Sequence, residues 1–461
     1  MEDIKKEHLQ KGLKERHVNL IAIGGSVGIG LFLASGNAIA MSGPCLLLSY
    51  VIGTFFMYLI MRALGEVTVE YPMAGSFSAY AHKFISPFAG FAIGWSYWFM
   101  WIMICMAQIT SIGIYCNFWW PNLHQWIPAL ASLVWLTSMN LFNVKIFGEF
   151  EFWFAILKVA IIVAFILAGI SIIAFGLGNG WKAIGISNLY KLKGGFVPFG
   201  FYGILMAFIF SMFSFIGVEF VGIIAGETKV PKKTIPAAIN KVVPSISLLY
   251  MGPLFVIMCL YPWLNLQGDG VGESVFVTAF MSLGIKKAAL VLNFIVILAS
   301  LSACSSGIFT NGRMLYNLAL NNQAPKFLAN LSSSKTPVNA VLFSSFVSLM
   351  GVFLNYFMPK TLFMALRNST TSIALLTWGG IVAVQMYARR SMVSENISNL
   401  KYPMPFYPYS NYLIFGALIL IFVTLAIDKV TRVSAILCPL WLVFLYAVYK
   451  LFVKKNNMKT I

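Results

Sequence analysis

Lys158, Glu219 and Arg367 are ionisable side chains embedded in apolar sequence. A charge taken out of water needs a partner or a change of protonation. Lys158 lies within FWFAILKVAIIVAF. Its long stem either carries the ammonium out to an interface or leaves it buried, where it can release and regain a proton. Glu219, within SFIGVEFVG, is either a paired structural acid or a group of a binding or coupling site. Arg367 either reaches outward or sits buried near such a site.

Glycine accompanies these charges. GGSVGIG, residues 24–30, holds Gly24, Gly25, Gly28 and Gly30. In a helix each costs about 1 kcal/mol relative to alanine. One reading is close packing through small residues. The other is an unwound stretch whose free N–H groups meet a carboxylate at a half-helix N-terminus. Gly217 and Gly222 offer a second break around Glu219.

These residues need elements to hold them, and composition says which kind. Of 461 residues, 59% are apolar and 10% charged, against about 25% charged in soluble domains. So few charges cannot cover a soluble surface, so lipid is the expected solvent. The net charge of +18 raises nucleic acid as a partner, but Lys and Arg fall between apolar runs, where membrane topology accounts for them. Cys45, Cys105, Cys116, Cys259, Cys304 and Cys438 show no C-x-x-C spacing and read as small buried hydrophobes; a bridge between Cys45 and Cys116 stays open. His8, His17, His82 and His124 are scattered, without ligand spacing. No enzyme, metal or cofactor is expected.

Twelve apolar runs are long enough to span a bilayer, at about 20 residues each. They cover 18–38, 44–64, 86–117, 127–146, 152–176, 199–225, 242–263, 288–309, 337–357, 361–386, 411–427 and 433–451. Lipid requires each span to satisfy its own backbone, so helices are expected. With both ends inside, 22 Lys and Arg fall on the cytoplasmic side and 8 outside, as the positive-inside rule demands. The N-terminal MEDIKKEHLQKGLKERH reads as a charged amphipathic tail that stays in the cytosol. Loops 177–198, 264–287 and 310–336 are too short for a core of their own, and 273–284 is a candidate surface helix.

The two glycine breaks fall in the first and sixth runs, each opening a set of five. That placement fits two inverted repeats whose broken helices meet at the midplane. The expected organisation is a tail (1–17), a first repeat (18–176), a second repeat (199–386), two peripheral helices (411–451) and a C-terminal tail (452–461).

LQKGLKERHVNLIAIGGSVGIGLFLASG, LGEVTVEYPMAGSFSAYA, EFWFAILKVAIIVAF, SFIGVEFVGIIAGETKVPKKTIPAAIN, LSACSSGIFTNGRMLY and YPYSNYL occur in this order. Through them the chain resembles the amino acid–polyamine–organocation (APC) superfamily, and within it the bacterial amino acid permeases, over about residues 9–450. The resemblance implies an all-α polytopic membrane protein with a 5+5 inverted repeat and two further helices. It implies unwinding across Ser26, Val27, Gly28, Ile29 and Gly30, and across Phe213, Ser214, Ile216 and Gly217, to form the substrate site. The N–H groups of Gly28, Ile29 and Gly30 would hold a carboxylate, and the carbonyls of Ser26, Phe213 and Ile216 would face an ammonium. Phe213 stands at an aromatic gate. Lys158 matches a lysine that some relatives use in place of sodium, with Ser305 and Ser306 as neighbours. Glu219 and Glu227 match two family acids.

The sequence departs from its relatives in three places. Many carry Thr or Ser at Ile29 and Glu at Gln108, and Arg367 has no recognised counterpart. The implied activity is import of a neutral amino acid with a proton across the bacterial cytoplasmic (inner) membrane. Exchange of amino acids, and cationic or γ-aminobutyrate cargo, remain alternatives.

Overall fold

The computed structural model describes residues 13, 15–32, 35–73, 75–177, 180–266, 276, 286–358, 362–392, 397–428 and 431–454, without side chains at 29, 266, 286–289, 362–365, 367–369 and 454. Among them, apart from an isolated bridge between Leu13 and Thr228, the regular structure is helical.

Helix occupies each of the twelve apolar runs. The first is interrupted at Val27–Gly28 and contains α1 (Glu15–Ser26), α2 (Ile29–Phe32) and α3 (Ser35–Ser42), residues 33 and 34 lying outside the described ones. There follow α4 (Leu46–Glu70), a short α5 (Ser76–Phe84), α6 (Pro87–Cys116), α7 (Trp126–Asn140) and α8 (Val144–Phe175). The sixth run is again divided, into α9 (Gly200–Ser214) and α10 (Phe220–Ile223). The remainder are α11 (Pro231–Leu260), α12 (Lys286–Leu320), α13 (Val338–Phe357), α14 (Leu362–Arg390), α15 (Tyr409–Ile427) and α16 (Arg432–Val448). Nine helical stretches among the described residues are long and apolar enough to cross a membrane.

Several helices outrun their apolar stretches. α8 begins at Val144 rather than near 152, because Asn143 caps it: its side chain accepts the Lys145 N–H at 2.9 Å. α8 therefore includes Glu151. α12 continues through Arg313 to Leu320, shortening the loop expected at 310–336, and α11 starts at Pro231 rather than near 242. Hydropathy marks where a helix meets lipid, whereas these ends turn one face onto protein and make polar contacts there through Glu149, Asn240 and Arg313. The segment 273–284 lies outside the described residues except for Phe276, whose ring packs on Phe32 and Phe165.

Close approach between helices is carried by small residues. A Cβ on Gly24 would come within 3.4 Å of Ala155 Cβ, so α1 lies against α8. One on Gly307 would stand 2.7 Å from both Cys105 Sγ and the Trp101 ring, which fixes the face α12 turns to α6. The stretches LGEVTVEYP and YPYSNYL meet in a buried network. Glu66 of α4 accepts from Gln385 Nε2 (2.8 Å), Arg389 Nη1 (3.3 Å) and the Met404 N–H (2.5 Å), and Asn411 Nδ2 donates to Gln385 Oε1 at 2.7 Å. These bonds join α4, α14 and the start of α15. Outward faces are apolar: Trp153, Leu157 and Leu167 on α8 and Ile419 and Ile427 on α15 are exposed, as lipid contact requires. The protein is a multi-pass membrane protein.

Candidate functional site

Both broken helices bend where glycine permits it, and the bends touch. α1 stops at Ser26, and Val27 and Gly28 turn the chain before α2. The second break runs through Phe215–Glu219, with Gly217 at φ +107°, a backbone that side-chain-bearing residues rarely adopt. A Cβ on Gly217 would lie 3.0 Å from Ser26 Oγ and 3.2 Å from the Gly25 carbonyl carbon; one on Gly25 would strike the Phe220 ring at 2.2 Å. Glycine on both sides is what lets the two breaks meet.

Unwinding frees carbonyls, and α8 supplies their donor. The fully buried Lys158 Nζ donates to Gly24 O (2.6 Å), Val27 O (2.8 Å) and Ser302 Oγ (3.2 Å). Three acceptors satisfy an ammonium's three donors. The alternative that Lys158 reaches out to an interface is overturned, since its side chain ends inside the bundle. Of the α12 serines, Ser302 makes this contact; Ser305 Oγ accepts from Asn140 Nδ2 at 3.4 Å, and Ser306 Cβ sits beside Gly25.

A tyrosine pair connects the breaks. Tyr250 of α11 donates to Ser26 O at 3.0 Å, and stacks on Tyr50 of α4 with ring centroids 5.6 Å apart. Tyr50 shares a 2.7 Å hydrogen bond with Ser214 Oγ. The Ser26 carbonyl is thus met by a phenol, and the Gly28 N–H turns back to Ser26 O at 3.2 Å. The Phe213 carbonyl accepts the Ile216 N–H at 3.2 Å, while the Phe213 ring stands 3.8 Å from where a Gly30 Cβ would be. Gln108 of α6 points at the first break: its Nε2 lies 2.6 Å from a Gly28 Cβ position, and its buried Oε1 meets no donor among the described residues.

The second break has its own buried charge. Both oxygens of Glu219 accept the Gly217 N–H at 3.1 Å, and Tyr97, Trp101 and Trp378 surround the carboxyl. Glu227 lies apart from the breaks and is paired with Arg313 of α12 (Nε–Oε1 2.8 Å), both buried. The Leu13 N–H donates to Glu227 O at 3.3 Å, and Arg16 and His17 hold Glu149. Those contacts hold Leu13 and the start of α1 against this end of the bundle. The Arg367 side chain lies outside the described residues.

Glu151, Ser302, Tyr50 and Tyr250 went unmarked in sequence. Glu151 stood one residue outside the apolar run, although its seven-residue spacing to Lys158 puts both on one helical face. No comparable signal singled out the serine or the tyrosines.

The family model for amino acid permeases matches residues 17–460. The chain is similar to the amino acid permease YtnA of Bacillus subtilis, 44% identical over 98% of this chain and 97% of the relative. It is 40% identical to the probable threonine/serine transporter YbxG of the same organism, over 97% and 96% respectively. It is also 40% identical to the aromatic amino acid transport protein AroP of Escherichia coli K12, over 95% and 94%.

Proposed function

Because the chain belongs to the amino acid permease family, a family of transporters rather than enzymes, we propose that it imports a neutral amino acid by proton symport. The membrane is the bacterial cytoplasmic (inner) one, with both termini on the cytoplasmic side. In this reading all twelve runs span, and 18–176 and 199–386 form inverted repeats, with 411–451 peripheral. The substrate binds alongside the two breaks where they meet. Its carboxylate is held by N–H groups of Gly28, Ile29 and Gly30, and its ammonium by carbonyls of the second break around Phe213 and Ile216. Phe213 gates the cavity, and Ser214, Gly217, Ser305 and Ser306 shape it. Threonine, serine and the aromatic amino acids named for YbxG and AroP are neutral, which supports that cargo class.

The observation that carries coupling is the Lys158 ammonium bridging Gly24 and Val27 to Ser302. Charged, it ties α1 to α8 and α12. A neutral amine has two N–H donors for these three acceptors, and each charge-assisted bond is weakened. Loss of a proton therefore frees α1 to move, and alternating access follows from binding at one face and release at the other. The test is uptake of labelled amino acids into proteoliposomes under an inward proton gradient without sodium. Accumulation of one or a few neutral amino acids is the expected result. Flux only against preloaded amino acid would make the protein an exchanger.

A further inference from the structure

Glu151 is fully buried and has no part in either break's backbone bonds. It lies two turns before Lys158 on the same face of α8, about 10 Å along the axis. Its Oε1 accepts a hydrogen bond from Ser302 Oγ, Ser306 of α12 stands beside the carboxyl, and no donor among the described residues comes within hydrogen-bond distance of Oε2. The same Ser302 hydroxyl accepts from Lys158 Nζ. Ammonium, hydroxyl and carboxylate therefore form one directed chain, Nζ–H to Oγ, Oγ–H to Oε1. A Cβ on Gly24 would come within 2.7 Å of Glu151 Oε1, so α1 leaves room for this acid only through glycine. A buried carboxylate with an orphaned oxygen is costly, and packing alone gives no reason to keep it.

We propose that Glu151 is a second proton-binding site, which takes the proton from Lys158 through Ser302 and passes it toward the Leu13 end. The proposal rests on the symport reading above. An N–H bond of Lys158 breaks as its proton joins Ser302 Oγ, and the serine's own proton moves to Glu151 Oε1. A buried cation and anion become a neutral amine and a neutral carboxylic acid, and the serine is regenerated. The transfer cancels both buried charges at once. It also weakens the hold of Lys158 on Gly24 and Val27, coupling proton movement to α1.

Exit is gated where α1 covers α8. A Cβ on Gly148, one turn before Glu151, would lie 2.9 Å from Leu13 and 3.1 Å from His17 Nδ1. Among the described residues, the other charged groups on the packed elements are Arg16 and His17 of α1 with Glu149 of α8, Arg313 of α12 with Glu227, Lys241 of α11 with Glu15, and the exposed Lys145 of α8 and Lys232 and Lys233 of α11. The buried ones are paired, so the acceptor for Glu151 is water admitted when α1 withdraws.

The test compares wild type, Glu151→Gln, Glu151→Asp and Ser302→Ala in proteoliposomes, each first shown to be folded by thermal unfolding. Two rates are read: accumulation under a proton gradient, and exchange at equal pH. Glu151→Gln and Ser302→Ala are expected to lower accumulation about tenfold or more beyond any loss of exchange. Glu151→Asp should restore part of it with a shifted pH profile. Wild-type accumulation and pH profile in Glu151→Gln would overturn the proposal, as would equal losses of both rates without rescue by Asp. If wild type itself exchanges without proton-driven accumulation, the symport reading fails and this site with it. Infrared difference spectra provide a check independent of transport. A carboxylic-acid carbonyl band that appears on acidification and vanishes in Glu151→Gln is expected, and its absence would sink the idea.

Discussion

The two breaks are stabilised by buried charges of opposite sign and opposite reach. At the first, the charge comes from another element: Lys158 of α8 caps the carbonyls of Gly24 and Val27. At the second it comes from within, since Glu219 accepts the N–H of Gly217 two residues earlier. A cap within the same segment moves with the bend, although Trp101 of α6 and Trp378 of α14 also stand beside the Glu219 carboxyl. A cap reaching in from a neighbouring helix fixes where the bend sits relative to that neighbour, and its removal releases one helix from the other. In the symport reading proposed above, the first break is therefore the one that proton loss releases.

Breaking the long-range cap should have the largest effect. Lys158→Ala leaves two buried carbonyls unpaired and Glu151 without its cation, a loss on the order of 3–5 kcal/mol. The expected outcome is a lowered unfolding temperature in detergent and no gradient-driven accumulation; retention of full accumulation would end the coupling role. Glu219→Gln should cost less, about 1–2 kcal/mol, because the carboxamide oxygen still accepts the Gly217 N–H. Accumulation should fall no further than exchange does, since this cap ties nothing to α8. A selective loss of accumulation would contradict the local character of the second break. The smallest effect is expected for Tyr250→Phe, which removes one hydrogen bond to Ser26 O and should cost about 1 kcal/mol. It is read as a raised KM with maximal uptake little changed, and an unchanged KM would show that the tyrosine pair does not position the first break.

The pieces of this comparison were unequally legible in sequence. Lys158 and Glu219 stood out because charge in an apolar run is rare, and glycine pointed to the bends because few other residues relieve a helix there. Glu151 was hidden by the rule that found Lys158: it lies one residue before the apolar run 152–176, so hydropathy did not mark it as a buried charge. Ser302 was missed for a rotational reason. Ser302, Ser305 and Ser306 are spaced i, i+3 and i+4, so all three lie on one face of the helix and spacing does not choose between them. Which of them meets Lys158 depends on how α12 is turned, and Gly307 pressed against Trp101 and Cys105 sets that angle.

Sequence alone determined the solvent, the helical class and the family motifs, since each follows from local composition or short-range order, and its glycines marked where bends were open to the chain. The lengths of α8, α11 and α12 were not determined, because their polar ends are held by partners distant in the chain. Only the tertiary structure decided that the two bends touch through Gly25, Ser26 and Gly217, and that one serine hydroxyl stands between a buried lysine and a buried glutamate. Hydrogen bonds depend on distances of a few tenths of an ångström, and those distances arise only when three helices are packed together.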